Sequence, residues 1–345
     1  MPLDRARGEN FDALAGHAVG RRGRLCVLAL AGLAVLPRTS GKARKAEETI
    51  MAGQRAVVVL ALTLLVLPGL MLHGCGKPVT TMAHGPKGTV EFQTLTLSAN
   101  DFWSGLKTGQ PVTISGELML PKGEGRVPAV VLSHGSGGVT RTENTWAREL
   151  RSLGVAVFLV DSFTGRGIKQ FPPETQLSRV GQVYDVYRAL ALLATHPRVD
   201  PGRIALMGAS RGGGLSILAA LTRSLKAQAP ESLEFSAYLA LYPSISAMRE
   251  NGALASRPIR LFTGTLDEAI PVTEVRAFAE KQRAAGADVK VFEYEGAHHA
   301  FDNPDFRTPF VVRTPVMFTV AYHPWAHTKI EKDMKETLVE VFGKP

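Results

Sequence analysis

The sequence predicts an α/β fold in which a mostly parallel, doubly wound sheet carries helices on both faces. Short apolar runs of strand length alternate with segments of helical length between residues 128 and 294. These runs are apolar throughout, which is typical of parallel strands that are buried on both faces. Glycine-rich turns follow several of them, at the sheet edge where ligands bind in such folds.

Two segments before the parallel strands have a different pattern. VEFQTLTL (90–97) and PVTISGELMLP (111–121) alternate between apolar and polar residues, so we expect antiparallel edge strands there. The first parallel strand is PAVVLS (128–133), followed by a helix around 144–153 and the strand VAVFLVD (155–161).

The second half of the predicted domain repeats the alternation. A long helix is expected at about 176–194, and IALMGAS (204–210) returns the chain as a strand. The remaining elements are a helix from about 212, the strands AYLALYP (237–243) and PIRLFTGTLD (258–267), a helix at 272–285 and the strand VKVFEY (289–294).

Composition and charge argue against a nucleic-acid partner. The 345 residues are 45% hydrophobic and 21% charged, the ordinary range for a globular protein with one large core. Residues 1–55 hold ten Lys and Arg against five Asp and Glu, so they account for five of the nine formal positive charges. The remaining excess is small and scattered, so we expect no nucleic-acid binding.

The two cysteines limit the chemistry of the folded body. Both Cys26 and Cys75 precede the predicted domain. The domain therefore has no internal disulfide, no cysteine nucleophile and no zinc–thiolate site. We expect neither a cofactor nor a metal.

The N-terminal quarter of the chain is interpreted as targeting sequence. After Arg55, residues 56–72 form an uncharged apolar run with the order of a secretory signal. LHGC at 72–75 is similar to a bacterial lipoprotein box. Lipidation of Cys75, a plain cleaved signal and an uncleaved anchor remain the alternatives, in that order. Met51 begins a complete-looking signal, so residues 1–50 are either an over-called extension or part of a two-segment leader.

Four segments follow from these observations. Residues 1–50 are interpreted as an over-called N-terminal extension, 51–75 as a signal peptide or lipoprotein signal, 76–89 as a linker and 90–345 as the α/β domain. We expect export to the periplasm or cell envelope, with a membrane tether through the Cys75 lipid or the apolar segment.

The motif GASRG predicts a nucleophile at Ser210. It lies between the strand IALM and a helix that begins with further glycines. A nucleophile on a sharp strand-to-helix turn needs glycine two residues before and after it, because larger side chains would collide with the adjoining backbone. The helix that follows also favours negative charge near Ser210. A structural turn is the alternative, whereas a phosphate loop lacks its Gly-Lys-Ser/Thr ending.

A serine needs a base, and in this type of fold the chain order is serine, acid, histidine. His298 and His299 follow the strand VKVFEY, and the residues alone do not separate them. Asp267 follows the strand RLFT and is the expected acid, which would orient the imidazole. Helix capping by Asp267 is the alternative. Four further candidates are weaker: Glu268 beside it, Asp302 after the histidines, and two histidines beside or inside the C-terminal helix, His323 and His327.

The loop HGSGG (134–138) is the expected source of an oxyanion hole. Acyl transfer needs two N–H donors aimed at the tetrahedral oxyanion. One is expected from Arg211, directly after the nucleophile, and the other from Gly135 or Ser136, between which the sequence does not decide. His134 is interpreted as a structural residue of the loop.

HGSGG, DSFTGRG, GASRGG, TGTLD and GAHHAFDNP occur in this order over about 170 residues. Together they resemble the dienelactone hydrolase family of the α/β-hydrolase superfamily, over roughly residues 125–345. The resemblance implies the α/β-hydrolase fold, selects His299 as the base because a small residue and Phe follow it, and supports Asp267 as the acid. The namesake enzymes carry a cysteine nucleophile, whereas the serine members are typically carboxylesterases, so dienelactone activity itself is not implied.

Two further features concern the pocket. Asp161 and Arg166 in DSFTGRG are interpreted mainly as structural, with substrate-carboxylate binding by Arg166 or Arg211 as the alternative. The stretch 304–325 is longer than the family usually places between its histidine and its final helix. Its run FVVRTPVMFTV (310–320) is expected to form an extra hairpin flanking the pocket.

The expected function is hydrolysis of a small or soluble ester through an acyl-Ser210 intermediate, with His299 acting first as base and then as acid. An acyltransferase or a peptidase with the same triad is the first alternative. A catalytically silent hydrolase fold used for binding at the cell envelope is the second. The sequence does not specify the substrate or the oligomeric state.

Overall fold

An eight-stranded sheet forms the centre of the computed structural model, which describes residues 80–169, 176–250, 252–313 and 317–343. Its strands are β1 (Gly88–Thr96), β2 (Gln110–Met119), β3 (Val127–Ser133), β4 (Ala156–Asp161), β5 (Val199–Ala209), β6 (Tyr238–Leu241), β7 (Ile259–Gly264) and β8 (Val289–Tyr294). Their order in the sheet is β1-β2-β4-β3-β5-β6-β7-β8. β1 and β2 are antiparallel, and every pairing from β4 to β8 is parallel. The predicted mostly parallel sheet is confirmed, although β2 pairs on both sides and is not itself an edge.

Helices cover both faces of the sheet. They are α1 (Ala99–Trp103), α2 (Arg141–Ser152), α3 (Arg179–Leu193), α4 (Arg211–Ala220), α5 (Thr222–Gln228), α6 (Ile245–Met248), α7 (Val272–Ala284) and α8 (Pro324–Phe342). Side chains of β3 alternate between two hydrophobic clusters, with Val131 in one and Val130 and Leu132 in the other. The first cluster includes residues of α3, α4 and α7, and the second includes residues of α2 and α8. The sheet is therefore doubly wound.

Capping side chains set the starts of the helices nearest the site. Thr140 and Glu143 form a capping box at the start of α2. The Thr140 hydroxyl accepts a backbone N–H of the first turn, and the Glu143 carboxylate accepts the N–H of Thr140. The predicted helix at 176–194 begins only at Arg179, because the Ser178 hydroxyl accepts the N–H of Gly181 as an N-cap. Apolar periodicity therefore located this helix, and the cap fixed its first residue.

Part of the segment predicted as a linker, 76–89, packs on the folded body. Met82 is fully buried in the core, and its N–H donates to the hydroxyl of Thr195 at 2.7 Å. The Pro86 carbonyl lies 3.2 Å from the Nε2 atom of His196. The predicted extension (1–50), signal (51–75) and Cys75 lipid site lie outside the described residues.

An antiparallel hairpin lies beside the main sheet, where the sequence predicted an insertion. It consists of β9 (Phe310–Arg313) and β10 (Met317–Val320), and residues 314–316 between them lie outside the described residues. The N–H of Ala321 donates to the carbonyl of His299 at 3.3 Å, and His299 forms a parallel bridge with Val320. The hairpin is thus attached to the loop that carries the predicted base.

In the ranges that the structure describes, every helix is too short or too polar to cross a bilayer. The apolar run at 56–72 lies outside those ranges.

Candidate active site

The nucleophile candidate occupies a strained turn between β5 and α4. Ser210 has φ of 54° and ψ of −114°, a conformation that L-residues other than glycine rarely adopt. A Cβ atom at Gly208 would lie 2.4 Å from the backbone of Gly212, and one at Gly212 would lie 2.5 Å from the carbonyl oxygen of Ser133. The two glycines are therefore required by close backbone packing, as the motif predicted.

Ser210, His299 and Asp267 form a continuous hydrogen-bonded chain. The Nε2 atom of His299 lies 3.0 Å from Ser210 Oγ, and its Nδ1 atom lies 2.8 Å from Asp267 Oδ2. Because a carboxylate only accepts, Nδ1 carries the imidazole proton and Nε2 accepts from the serine hydroxyl. Asp267 is fixed in turn by the N–H of Ile270, which donates to Oδ1 at 3.0 Å. This arrangement gives the serine a base and the base an orienting acid.

The rival histidines lie away from Ser210. His298 is partly exposed, and its Nδ1 atom lies 3.4 Å from Glu268. His323 caps α8 by accepting the N–H of Ala326, and the Nδ1 of His327 donates to the carbonyl of Asp302. Both helix histidines thus have the structural roles that the sequence favoured for them.

The rival carboxylates are likewise used elsewhere. Glu268 accepts the N–H and the hydroxyl of Thr319, so it connects the acid loop to β10. Asp302 is buried and accepts from the indole N–H of Trp146 at 2.6 Å and the hydroxyl of Tyr242 at 2.8 Å. Burial raises the pKa of the Asp302 carboxyl. Neither group is hydrogen-bonded to His299.

The rings of Tyr242 and Phe318 both pack edgewise against His299. Their centroids lie 4.9 Å and 5.0 Å from the imidazole, with interplanar angles of 67° and 71°. Sequence reasoning missed both contacts. Tyr242 follows the strand AYLAL directly, which placed it at the catalytic edge, but no pattern indicates that its ring meets the histidine.

The two oxyanion-hole candidates of the HGSGG loop differ in their hydrogen bonds. The N–H of Gly135 donates to Glu143 Oε1 at 3.2 Å, so this donor is already engaged. The N–H of Ser136 has no acceptor among the described residues. Arg211 is the first residue of α4, at the helix end where backbone N–H groups point outward. Ser136 and Arg211 are therefore the better pair of donors, and Gly135 is the weaker candidate.

Glu143 is a site residue that sequence reasoning missed. It is buried, and its carboxylate joins the capping box of α2 to the N–H of Gly135. The spacing Thr140-x-x-Glu143 before a helical run was the available signal. Glu143 thus holds the loop that presents Ser136.

His134 also anchors the HGSGG loop. Its Nδ1 donates to the carbonyl of Gly135 at 2.8 Å, and its Nε2 accepts the N–H of Ser162 at 3.2 Å. Complete burial lowers the pKa of His134. A neutral imidazole with both nitrogens engaged is structural, as expected.

Substrate binding by Arg166 is not supported, which corrects that alternative. The Arg166 side chain is 4% exposed and forms a two-point ion pair with Asp185 at 2.8 Å and 2.9 Å. Its remaining donors reach Thr96 Oγ1, Ser162 O and Leu95 O. The guanidinium of Arg211 is buried as well and donates to Gln182 and the carbonyl of Leu177. Both arginines hold the scaffold under the site.

Asp161 has the structural role that the sequence favoured. Its Oδ1 atom accepts the N–H groups of Phe163 and Thr164 at 3.0 Å and 2.9 Å. Although burial acts to raise it, these hydrogen bonds keep the pKa of Asp161 below its ordinary value. The carboxylate fixes the turn after β4.

A cleft of about 410 Å³ opens above Ser210 and His299. Its lining includes both polar and apolar side chains. The polar lining residues include Thr140, Arg141, Thr142, Asn303 and Asp305. The apolar lining residues include Phe306 and, from the β9–β10 hairpin, Phe310, Val312, Phe318 and Val320. A cleft of this size accepts a small molecule. Among the described residues, no cluster of His, Cys, Asp and Glu has a metal-binding arrangement.

Sequence comparison matches this chain to a family and to curated relatives. A sequence model of the dienelactone hydrolase family matches residues 114–342. The thiohydrolase aneE of Aspergillus aculeatus is 32% identical over 108 residues, which are 31% of this chain and 33% of that protein. The quorum-quenching protein AidA of Acinetobacter baumannii is 27% identical over 166 residues, 47% of this chain and 54% of that protein. The chain thus aligns with between a third and about half of the length of these relatives.

Comparison with solved structures identifies proteins that share the fold of this chain. Esterase 2 of Thermogutta terrifontis, in a form phosphoramylated by tabun, superposes with a TM-score of 0.52 and 18% identity. The match covers 74% of this chain and 96% of the esterase. At this identity the likeness establishes the fold, and the chemistry depends on the residues described above.

Proposed function

We infer that this chain, which belongs to the dienelactone hydrolase family, is a serine hydrolase that cleaves a carboxylic ester of a small or soluble substrate. The observation that carries the proposal is the hydrogen-bonded chain from Ser210 through His299 to Asp267 at the floor of the cleft. Ser210 stands where the namesake enzymes carry a cysteine, so the proposal is esterase activity and not the namesake reaction.

In the acylation step, Ser210 Oγ forms a bond to the ester carbonyl carbon while its proton passes to His299 Nε2. The N–H groups of Ser136 and Arg211 stabilise the oxyanion that results. The bond from carbon to the leaving oxygen then breaks, and His299 Nε2 returns the proton to that oxygen. Asp267 stabilises the imidazolium throughout.

In the deacylation step, water attacks the acyl-Ser210 carbonyl and gives its proton to His299 Nε2. The bond to Ser210 Oγ breaks, and the same proton restores the serine hydroxyl. The carboxylic acid leaves, and the triad returns to its starting state. A thioester would pass through the same acyl-Ser210 intermediate with a thiol as leaving group, so both classes belong in the first substrate screen.

Labelling of the full chain with a fluorophosphonate probe, followed by peptide mass mapping, tests the proposal, because the probe reports an activated serine without knowledge of the substrate. We expect modification at Ser210 alone, lost in Ser210→Ala and His299→Ala. His298→Ala is the matched control, since its neighbouring imidazole is not bonded to Ser210, and it should label normally. A folded sample that does not label would favour a binding role for the fold.

Export is proposed on the sequence alone. The signal-like order of residues 51–75 supports secretion, and Cys75 supports a lipid anchor at the cell envelope. Intact mass of the native protein tests this, since a lipidated chain would begin at Cys75 and Cys75→Ser would abolish the lipid. Detection of a peptide from residues 1–50 would contradict the start at Met51.

A further inference from the structure

The β9–β10 hairpin presents one apolar face to the cleft above Ser210. In its register Val312 lies opposite Phe318 and Phe310 lies opposite Val320, and all four side chains line the cleft. The other face points away, since alternate strand residues face opposite sides. On that face Val311 is 51% exposed and Met317 is 64% exposed, whereas on the cleft face Phe310 is 45% exposed and Val320 is 5% exposed. The two cross-strand pairs on one face of the hairpin therefore line the cleft, and the residues of the other face point away from it.

This apolar wall lies on the histidine side of the nucleophile. The ring of Phe318 packs edgewise against His299, and Val320 forms a bridge with His299. The oxyanion-hole donors come from other elements, since Ser136 follows β3 and Arg211 begins α4. The cleft therefore has its apolar wall next to the imidazole that moves the proton.

The position of the imidazole determines which part of an ester meets this wall. His299 Nε2 returns its proton to the leaving oxygen, so that oxygen must come within hydrogen-bonding distance of Nε2. The group attached to the leaving oxygen then continues into the space beside Phe318. The acyl group is bonded to the carbonyl carbon instead and has no requirement to approach the imidazole.

We propose that the β9–β10 hairpin binds the leaving group, and that the substrates are esters whose alcohol portion is an apolar alkyl or aryl group. The proposal rests on the esterase function inferred above and specifies its substrate class. The step itself is unchanged: the bond from the carbonyl carbon to the alcohol oxygen breaks, and His299 supplies the proton that completes the free alcohol.

A second contact fixes the wall relative to the triad. Glu268 accepts the N–H of Thr319 at 3.1 Å and its hydroxyl at 2.9 Å. Glu268 directly follows Asp267, which holds the imidazole. Thr319 lies between Phe318 and Val320 in β10, so one loop positions both the acid of the triad and the apolar face of the hairpin.

The test compares two isomeric esters on the full chain, hexyl acetate and methyl heptanoate. They have the same composition and the same hydrocarbon chain, which lies on the alcohol side of one and on the acyl side of the other. We expect kcat/KM for hexyl acetate to exceed that for methyl heptanoate and for methyl acetate by about tenfold, since extra methylenes in an apolar pocket give at least this much.

Variants then assign the preference to the hairpin. Phe310→Ala and Val312→Ala should each lower the ratio of kcat/KM for hexyl acetate to kcat/KM for methyl acetate about fivefold. Val311→Ala, on the outward face of the same strand, is the matched control and should leave this ratio unchanged. Hydrolysis of the acetyl-enzyme should keep its rate in all three variants, because the alcohol has already left at that stage.

The outcomes separate this proposal from the function on which it rests. A preference for methyl heptanoate, or no gain over methyl acetate in a protein whose Ser210 labels with the fluorophosphonate, would overturn the leaving-group assignment alone. Slower acetyl-enzyme hydrolysis in Phe310→Ala and Val312→Ala would also overturn it, since the hairpin would then act through the triad. Absence of both labelling and ester hydrolysis would instead refute the esterase function.

Discussion

At the scale of single residues, the site depends on a backbone conformation that Ser210 does not adopt by preference. Its positive φ is maintained because Ser210 N–H donates to the carbonyl of Leu241 at 2.9 Å, while its own carbonyl accepts from Gly214 and Ser244. Such strain persists only where the surroundings enforce it. The glycines beside Ser210 let the surrounding backbone approach closely enough to do so.

Gly212→Ala tests this requirement. The added Cβ would lie 2.5 Å from the carbonyl oxygen of Ser133, and neither backbone can move without displacing the turn. We expect esterase activity and Ser210 labelling to fall at least about a hundredfold, because small displacements of reacting groups have effects of this size. Gly125→Ala is the control, since nothing lies within 4 Å of its added Cβ. Normal labelling in Gly212→Ala would show that the turn can yield.

Asp267→Asn tests the orienting acid. The amide keeps nearly the same shape but favours the wrong imidazole tautomer, so we expect kcat to fall by about 10⁴ with little change in KM. Glu268→Gln is the adjacent control, and its amide oxygen still accepts from Thr319, so activity should stay within a few-fold of the original. A larger loss in Glu268→Gln than in Asp267→Asn would transfer the role of the acid to Glu268.

At the scale of elements, sequence patterns located the strands and helices well, while single contacts set their ends and their partners. Apolar runs predicted the parallel strands, alternation predicted β1 and β2, and the extra length of 304–325 relative to the family predicted the β9–β10 hairpin. The start of α3 depended on the Ser178 cap, which periodicity does not indicate. Arg166 pairs with Asp185, which lies on α3 and meets Arg166 only in the folded protein. The sequence alone could therefore not decide between a structural and a substrate-binding role for Arg166.

Arg166→Met tests the structural role of that ion pair. The change leaves the Asp185 carboxylate buried without its counter-ion, and we expect the free energy of unfolding to fall by about 3–5 kcal/mol. The folded variant should keep its KM, because Arg166 does not line the cleft. Urea unfolding and steady-state kinetics measure the two effects.

Two comparisons make the Arg166 result specific. Arg249→Met removes an exposed partner of Glu274, with side chains 65% and 43% exposed, and should cost at most about 1 kcal/mol. Arg166→Met combined with Asp185→Leu should recover part of the lost stability, because no buried charge remains unpaired. A raised KM with unchanged stability in Arg166→Met would restore the substrate-binding interpretation.

At the scale of the whole molecule, the sheet brings the site together from distant parts of the chain. Ser210, Asp267 and His299 follow β5, β7 and β8, which lie on one side of the sheet with only β6 between them. Chain order and position after a strand predicted Ser210, Asp267 and the pair of neighbouring histidines, and the family resemblance selected His299. The choice of Ser136 over Gly135 depended on the side chain of Glu143, and the identification of the apolar wall depended on the hairpin register. Chain order predicts neither of these features.

This assembly also predicts that activity is lost before the sheet unfolds. The strands of the β9–β10 hairpin pair with each other and not with the main sheet, and their outward residues Val311 and Met317 are largely exposed. Two-stranded hairpins are marginal alone, and such regions open at lower free energy than a buried core. In a urea series, kcat/KM for hexyl acetate should therefore fall while far-UV circular dichroism is unchanged.

Ser210 labelling distinguishes the two stages, because the fluorophosphonate needs the triad on the sheet but not the leaving-group wall. We expect labelling to persist to the main circular-dichroism transition, after hexyl acetate hydrolysis has already declined. If hydrolysis, labelling and circular dichroism instead change together, the hairpin unfolds with the sheet as one cooperative unit. The contact between Thr319 and Glu268 would then be strong enough to make the wall a fixed part of the site.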